Sequence, residues 1–318
     1  MAEAVERAIN ECHNLVIEAG TGTGKTLAYL LPVLRSGRRA IVSTRTRALQ
    51  DQLYHRDLPM IGAALGRPAK VQLLKGRRNY LCLQRLDSAA QDPGLMQGTW
   101  RDDLAQVRRW AGRTRSGDTA EVSDVPEDSP VWPRVTSTAE NCLGSRCGRF
   151  DDCHVAAARQ QARDADIVVV NHHLLMADLT MKDEGFGELL PGVDAVVVDE
   201  AHHFPEIAQD FFNTSLSSRQ VEDLLGDMGR EALESGVRDG ELSQALHQVT
   251  ESLKDCREAL GSRDATWRWE DSQGFESAFD ALGETLESLR GWFDTIDQPG
   301  AGLARCRERV QRLVEACL

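Results

Sequence analysis

Eight residues near the start of the chain, Ala19, Gly20, Thr21, Gly22, Thr23, Gly24, Lys25 and Thr26, have the types and spacing needed to hold a polyphosphate. They follow the phosphate-loop pattern G-x-x-x-x-G-K-[ST], with Ala19 in place of the first glycine. Gly22 and Gly24 let backbone N–H groups approach phosphate oxygens with no Cβ in the way. A helix opening at Lys25 adds the partial positive charge of its N-terminus. In such a loop the lysine reaches the β- and γ-phosphates, and the Thr26 hydroxyl ligates Mg²⁺. A second constellation, Asp199, Glu200, Ala201 and His202, closes the apolar run 195–198. A carboxylate at the C-terminal tip of a buried strand faces the crevice where α/β sheets bind ligands. Asp199 is expected to hold Mg²⁺, directly or through water, and Glu200 to orient and deprotonate an attacking water. The two constellations together point to ATP hydrolysis.

Eight cysteines lie at positions 12, 82, 142, 147, 153, 256, 306 and 317. The first residues, MAEAVERAIN, are acidic and lack the apolar core of a secretory signal, so a reducing compartment and metal binding are favoured over disulfides. Cys82, Cys142, Cys147 and Cys153 follow C-x59-C-x4-C-x5-C. Four thiolates hold either a tetrahedral zinc or an iron–sulfur cluster. These intervals are looser than the C-x2-C pairs of zinc ribbons, which leans toward a cluster. Cys256, Cys306 and Cys317 fall on apolar stripes and read as small core residues. Cys12 has no candidate partners nearby.

The elements that must position these groups follow from periodicity. Short β-branched runs at Leu15–Ala19, Ala40–Thr44, Val71–Leu74, Asp166–Asn171 and Ala195–Asp199 lack alternation. This suits strands buried on both faces of a parallel sheet. Helix-compatible stretches at Lys25–Ser36 and Thr46–Leu58 lie between them, giving an α/β fold. From Gln91 to Arg149 the pattern breaks into Pro, Gly, Ser and Asp. This stretch is expected to be an irregular insertion held by something other than a large apolar core. From Phe211 to Leu318 apolar residues recur at steps of three and four, predicting antiparallel helices. Ser217 and Gln220 form a candidate capping box at the start of the first.

The length of 318 residues fits two or three domains. Hydrophobic and charged contents of 41% and 27% are those of an ordinary globular chain. No run approaches the ~18–20 apolar residues that span a bilayer, so no membrane partner is expected. The formal net charge of −13 is unevenly spread. Residues 1–115 carry 19 Lys and Arg against 10 Asp and Glu, a net of +9, while the remainder carries −22. The basic part can meet a polyanion and the acidic part would repel it. Arg45, Arg47, Lys70, Lys75, Arg77 and Arg78 supply the positive field, and Tyr80, Trp100 and Trp110 are candidate stacking surfaces. Trp267 and Trp269 are left unassigned.

Five motifs in order, EAGTGTGKT at 18–26, STRTRALQDQL at 43–53, GRRNYLC at 76–82, VVVNHHLL at 168–175 and VVVDEAHH at 196–203, carry a resemblance. With the Cys142, Cys147 and Cys153 triplet between the third and fourth, they resemble the iron–sulfur branch of superfamily 2 helicases, the XPD/DinG family. The resemblance implies a RecA-like parallel-sheet motor domain, first lobe, with an iron–sulfur insertion and an all-α Arch-like insertion. It divides the chain into 1–80 and 161–206 for the motor, 81–160 for the insertion and 207–318 for the Arch-like part. It implies a 4Fe–4S cluster on Cys82, Cys142, Cys147 and Cys153, and ATP-driven 5′→3′ unwinding of DNA. Thr44, Arg45, Arg77, Arg78, Tyr80, Asn171 and His172 match positions at or near the DNA strand, and His202 would couple the ATP site to neighbouring motor elements. Single-stranded and forked DNA, replication or repair proteins as partners, a monomer, and a cytoplasmic, nucleoid-associated location are expected on the same ground. The upstream Gln motif, the second RecA-like lobe and its arginine finger are not seen in these residues, so this polypeptide alone is expected to show weak or no ATPase and no unwinding. The alternative reading is a DNA- or partner-binding P-loop ATPase module with a zinc-bound structural insert.

Overall fold

Four of the β-branched runs pair into one sheet. In the computed structural model, which describes residues 1–20, 22–91, 100–183, 189–212, 216–237, 239–261, 274–296 and 299–317, β1 (Ala40–Thr44), β2 (Val71–Leu73), β3 (Ile167–Asn171) and β4 (Ala195–Val198) are all parallel, in the order β2-β3-β1-β4. Every residue of β1 is buried, as are Ile167–Val170 of β3. Central strands covered on both faces need no polar alternation. Trp267 and Trp269 lie outside the described residues.

Two strand expectations are corrected. Leu15–Ala19 forms no strand, and Val16 is 97% exposed. β4 is incompletely buried, with Val196 51% exposed, and among the described residues it pairs with β1 alone. The first has a cause in pairing. An apolar run becomes a strand only where a neighbouring backbone supplies its hydrogen bonds, and none of the described strands lies alongside either free edge.

The chain divides into two compact units, 1–136 with 151–213 and 137–150 with 214–318. In the first, α1 (Ala2–Glu11) packs on α2 (Lys25–Ser36), which starts at Gly24 and stops at Gly37, both in the left-handed region. Tyr29, Leu30, Val33 and Leu34 of α2 join Val42, Ile167 and Val169 in one core. The single helix expected over Thr46–Leu58 is broken into α3 (Arg47–Gln52), a π-helical turn at Leu53–Asp57 and α4 (Leu58–Ala64).

Residues 91–149 are less irregular than their composition suggests. After α5 (Leu83–Gln91) come α6 (Arg101–Ala111) and the short α7 (Trp132–Val135). Leu81, Leu86, Leu104, Val107, Trp110, Val131 and Val135 form an apolar core of their own. Pro and Gly mark turns between these pieces; they do not prevent burial of the Leu and Val that separate them. α8 (His154–Arg163), α9 (His172–Asp183) and α10 (Phe204–Phe212) complete the unit.

In the second unit α11 (Ser218–Glu234), α12 (Gly240–Leu260), α13 (Phe275–Trp292) and α14 (Ala301–Cys317) pack into a closed ring in which α11 touches both α12 and α14. Its core contains Val221, Leu224, Met228, Val249, Leu286, Cys306 and Val310. The Ser217–Gln220 capping box is formed. Cys256 and Cys306 are buried, and burial pushes the Cys306 thiol up to about 12. Segment 137–150 is held to α14 by Arg305, which donates to the carbonyls of Glu140 at 2.7 Å and Ala139 at 2.6 Å.

Candidate active site

The parallel pairing of β1 and β4 ends with the Asp199 N–H donating to the Ser43 carbonyl at 2.9 Å. This puts Thr44, Arg45, Asp199 and Glu200 at one end of the sheet. The phosphate-loop residues lead into α2, whose N-terminus carries no side-chain cap, so its backbone donors are open to an anion. Gly22 and Gly24 have φ of 78° and 80°, a backbone that a side chain at either position would strain. The Thr23 hydroxyl donates to the Gly20 carbonyl at 2.8 Å, closing the loop on itself.

Lys25 Nζ lies 2.7 Å from Glu200 Oε1, joining groups 175 residues apart. The hydrogen bond from Lys25 holds the Glu200 carboxyl below its ordinary value, and the same bond holds the Lys25 ammonium above its own. Glu200 adopts left-handed φ of 52°, a conformation that costs a non-glycine residue roughly 1–2 kcal/mol and turns the side chain back toward the loop. Asp199 sits deeper. Burial, then the adjacent Glu200 charge, raise its carboxyl above the usual range.

Tyr29, three residues beyond Thr26 on α2, is buried with its hydroxyl beside Thr26 and Asp199. Among the described residues that hydroxyl has no hydrogen-bond partner, and burial, reinforced by the Asp199 charge, pushes the phenol far above its usual value. Thr26 and Asp199 are hard oxygen donors of the kind Mg²⁺ takes. The Tyr29 hydroxyl beside them adds a third polar group to a site whose oxygens suit such a cation and its waters. Sequence reasoning missed Tyr29. The available signal was its i+3 position from Thr26, on the same face of the helix.

Other expected site residues fall differently. Thr44 is fully buried and its hydroxyl has no partner among the described residues. Tyr80 is buried, its hydroxyl accepting from the Lys75 N–H at 3.1 Å. His172 is fully buried, with Nδ1 2.7 Å from Ser43 Oγ and its ring edge-on to Phe204. Burial holds this imidazole below its ordinary value. Asn171 caps α9 through the Leu174 N–H. Lys75 is buried in ion pairs with Asp51 and Asp118, and Trp110 donates to Glu121 within the insertion core. Thr44, Tyr80, His172, Lys75 and Trp110, each singled out by a motif or a composition cue, are thus all buried side chains. Trp100 packs partly buried against that same core. Arg45 and Arg78 are exposed and Arg77 is half-buried.

The four spaced cysteines are half-buried thiols at irregular backbone positions. Cys82 follows the Leu81–Thr136 bridge, Cys153 precedes α8, and Cys142 and Cys147 flank a single 3₁₀ turn. Cys82 and Cys153 belong to the first unit, Cys142 and Cys147 to the second. Among the described residues no three Cys, His, Asp or Glu side chains are gathered into a ready metal site. The donor chemistry nonetheless fits an iron–sulfur cluster or zinc, since all four are soft ligands with partial solvent access.

A parallel sheet with a glycine loop facing an acidic strand tip defines a P-loop nucleotide-binding domain. Residues 2–95 match the family model for the DEAD/DEAH box helicase. Its curated relatives are more specific. It is 45% identical over 99% of its length to the ATP-dependent DNA helicase YoaA of Haemophilus influenzae, covering 51% of that protein. It is 48% identical over 82% of its length to the Escherichia coli YoaA, covering 41%, and 34% identical over 80% to an ATP-dependent helicase DinG of Mycobacterium tuberculosis, covering 42%. The chain thus spans about half the length of the curated relatives it matches. Among solved structures, a truncated XPD covers 99% of this chain at a TM-score of 0.43 and 14% identity, a likeness too distant to carry an argument. No described helix is long and apolar enough to cross a membrane.

Proposed function

We propose that this chain supplies the nucleotide-binding motor lobe of an ATP-dependent DNA helicase with 5′→3′ polarity. The observation that carries the reading is the 2.7 Å contact between Lys25 and Glu200, because it sets the phosphate loop against the acidic strand tip. Gly22, Gly24 and the open start of α2 receive phosphate oxygens, with Ala19, Gly20 and Thr23 shaping the loop; Thr21 lies outside the described residues. Lys25 leaves Glu200 for the β- and γ-phosphates, which frees Glu200 to orient and deprotonate water. Thr26 and Asp199 hold Mg²⁺, which when bound offsets charge on the phosphates. His202, 3.3 Å from Glu200 Oε2, positions that carboxylate.

Arg45, Arg77 and Arg78 meet the backbone of single-stranded or forked DNA. Residues 81–160 form a cluster-bearing insertion in which Cys82, Cys142, Cys147 and Cys153 hold 4Fe–4S, and 207–318 an Arch-like helical part. A monomer working in the cytoplasm at the nucleoid, with replication or repair proteins, completes the reading. Binding of ATP and of single-stranded DNA, measured on wild type and Lys25→Ala, tests the motor. Loss of nucleotide affinity in the variant is expected, and unchanged affinity overturns the site. Iron and acid-labile sulfide that fall together in Cys147→Ser support the cluster. Zinc without sulfide favours a structural insert.

A further inference from the structure

We infer that His203 is a positioning residue through which Arg45, at the tip of β1, communicates with Glu200 and Lys25. The inference rests on the functional reading above and assigns a role to a residue that reading does not use. Arg45 Nη1 lies 2.9 Å from His203 Nε2. A guanidinium has no acceptor and keeps its protons, so Arg45 donates and His203 Nε2 accepts. That fixes the proton of a neutral ring on Nδ1, which lies 3.9 Å from Glu206 Oε2. The His203 ring stacks at a slant on His202, centroids 3.9 Å apart. His202 Nδ1 is 3.3 Å from one oxygen of Glu200, and the other oxygen takes the Lys25 ammonium at 2.7 Å. Five side chains thus form an unbroken series from an exposed arginine in the basic part of the chain to the lysine of the phosphate loop.

The series is built to be switched. Arg45 is tied to an uncharged acceptor, and hydrogen bonds between ionised partners are roughly twice as strong as neutral ones. A nucleic-acid phosphate therefore outcompetes His203 for the arginine. Once released, the His203 ring loses the contact that fixes its tilt on His202, and the hold of His202 on Glu200 loosens with it. Phosphates of ATP act on the same series from the other end by drawing Lys25 off Glu200. Linkage requires the two effects to be equal in free energy.

The test measures binding of AMP-PNP with Mg²⁺ to the full chain, with and without a short oligo-dT strand, for wild type, His203→Ala and His203→Gln. Oligo-dT is expected to change wild-type AMP-PNP affinity by roughly 5–150-fold, the ordinary range of coupling between sites. In H203A the change falls to within about twofold, and the AMP-PNP affinity of the variant alone moves toward the value wild type shows with oligo-dT bound. H203Q, whose amide oxygen can accept from Arg45, restores the coupling. Wild-type coupling in H203A, or H203Q as uncoupled as H203A, overturns the role of His203. Wild-type protein that binds both ligands with no mutual effect overturns the coupling alone, and protein that binds neither overturns the functional reading as well.

Discussion

Lys25 and Glu200 neutralise each other in the resting site, so a nucleotide has to take the lysine from a carboxylate already in contact with it. Glu200→Gln removes that competitor. Its affinity for AMP-PNP is expected to equal or exceed that of wild type, while turnover by the whole helicase falls by about 10²–10⁴, the usual worth of a general base. Weaker nucleotide binding in E200Q would show that Glu200 supports the ligand rather than opposing it. The pH dependence has a definite sign. Because the Glu200 pKa is depressed, the ion pair is fully present above the ordinary carboxylate value and is lost as pH falls through the depressed one. The resting latch is closed at neutral pH. At this scale the glycines, Lys25, Asp199 and Glu200 were legible because phosphate and Mg²⁺ chemistry restricts residue type and spacing. Tyr29, His172 and His203 were not, since their roles depend on which neighbour the fold turns toward them.

Among the elements, the helical unit shows what periodicity can and cannot convey. The stripes of Leu, Val and Cys at steps of three and four place Val249, Leu286 and Val310 in the core as expected. Asp227 and Arg309 break the pattern. They form a buried ion pair at 2.7 Å between α11 and α14, joined by Arg230 on Asp227. Removing one partner of such a pair strands a charge in the interior, so Asp227→Ala is expected to destabilise this unit by about 3–5 kcal/mol. Replacing both, as Asp227→Leu with Arg309→Met, should recover the part of that loss owed to Arg309, while Arg230 stays without Asp227. Urea unfolding of single and double variants decides, and a harmless Asp227→Ala would mean the pair is solvated. Helix α2 and strands β1 and β3 were legible from Lys25–Ser36 and the unbroken Val and Ile runs. Leu15–Ala19 has the same composition and is no strand, because pairing belongs to the neighbour and not to the run itself.

For the whole chain, the separation of charge matters more than its sum. The net +9 of residues 1–115 includes Lys75, whose charge is already met by Asp51 and Asp118, so fewer cations face solvent than the count suggests. Arg78, exposed in the turn after β2, and Arg77 beside it are expected to contact phosphates. Each replaced by Ala should flatten the slope of log affinity against log salt by about 0.7 for a single strand, without changing base preference. An unchanged slope would move the strand path elsewhere.

The segment ahead of the phosphate loop adds one more consequence. Residues 13–20 have no regular structure, whereas the other end of the glycine loop leads straight into α2. Where conformers ready to receive a triphosphate make up only a fraction of an ensemble, the apparent dissociation constant is raised in inverse proportion to that fraction. Whatever braces those residues against the sheet, including a neighbouring strand along the open side of β4, would tighten nucleotide binding without touching a single phosphate-contacting atom.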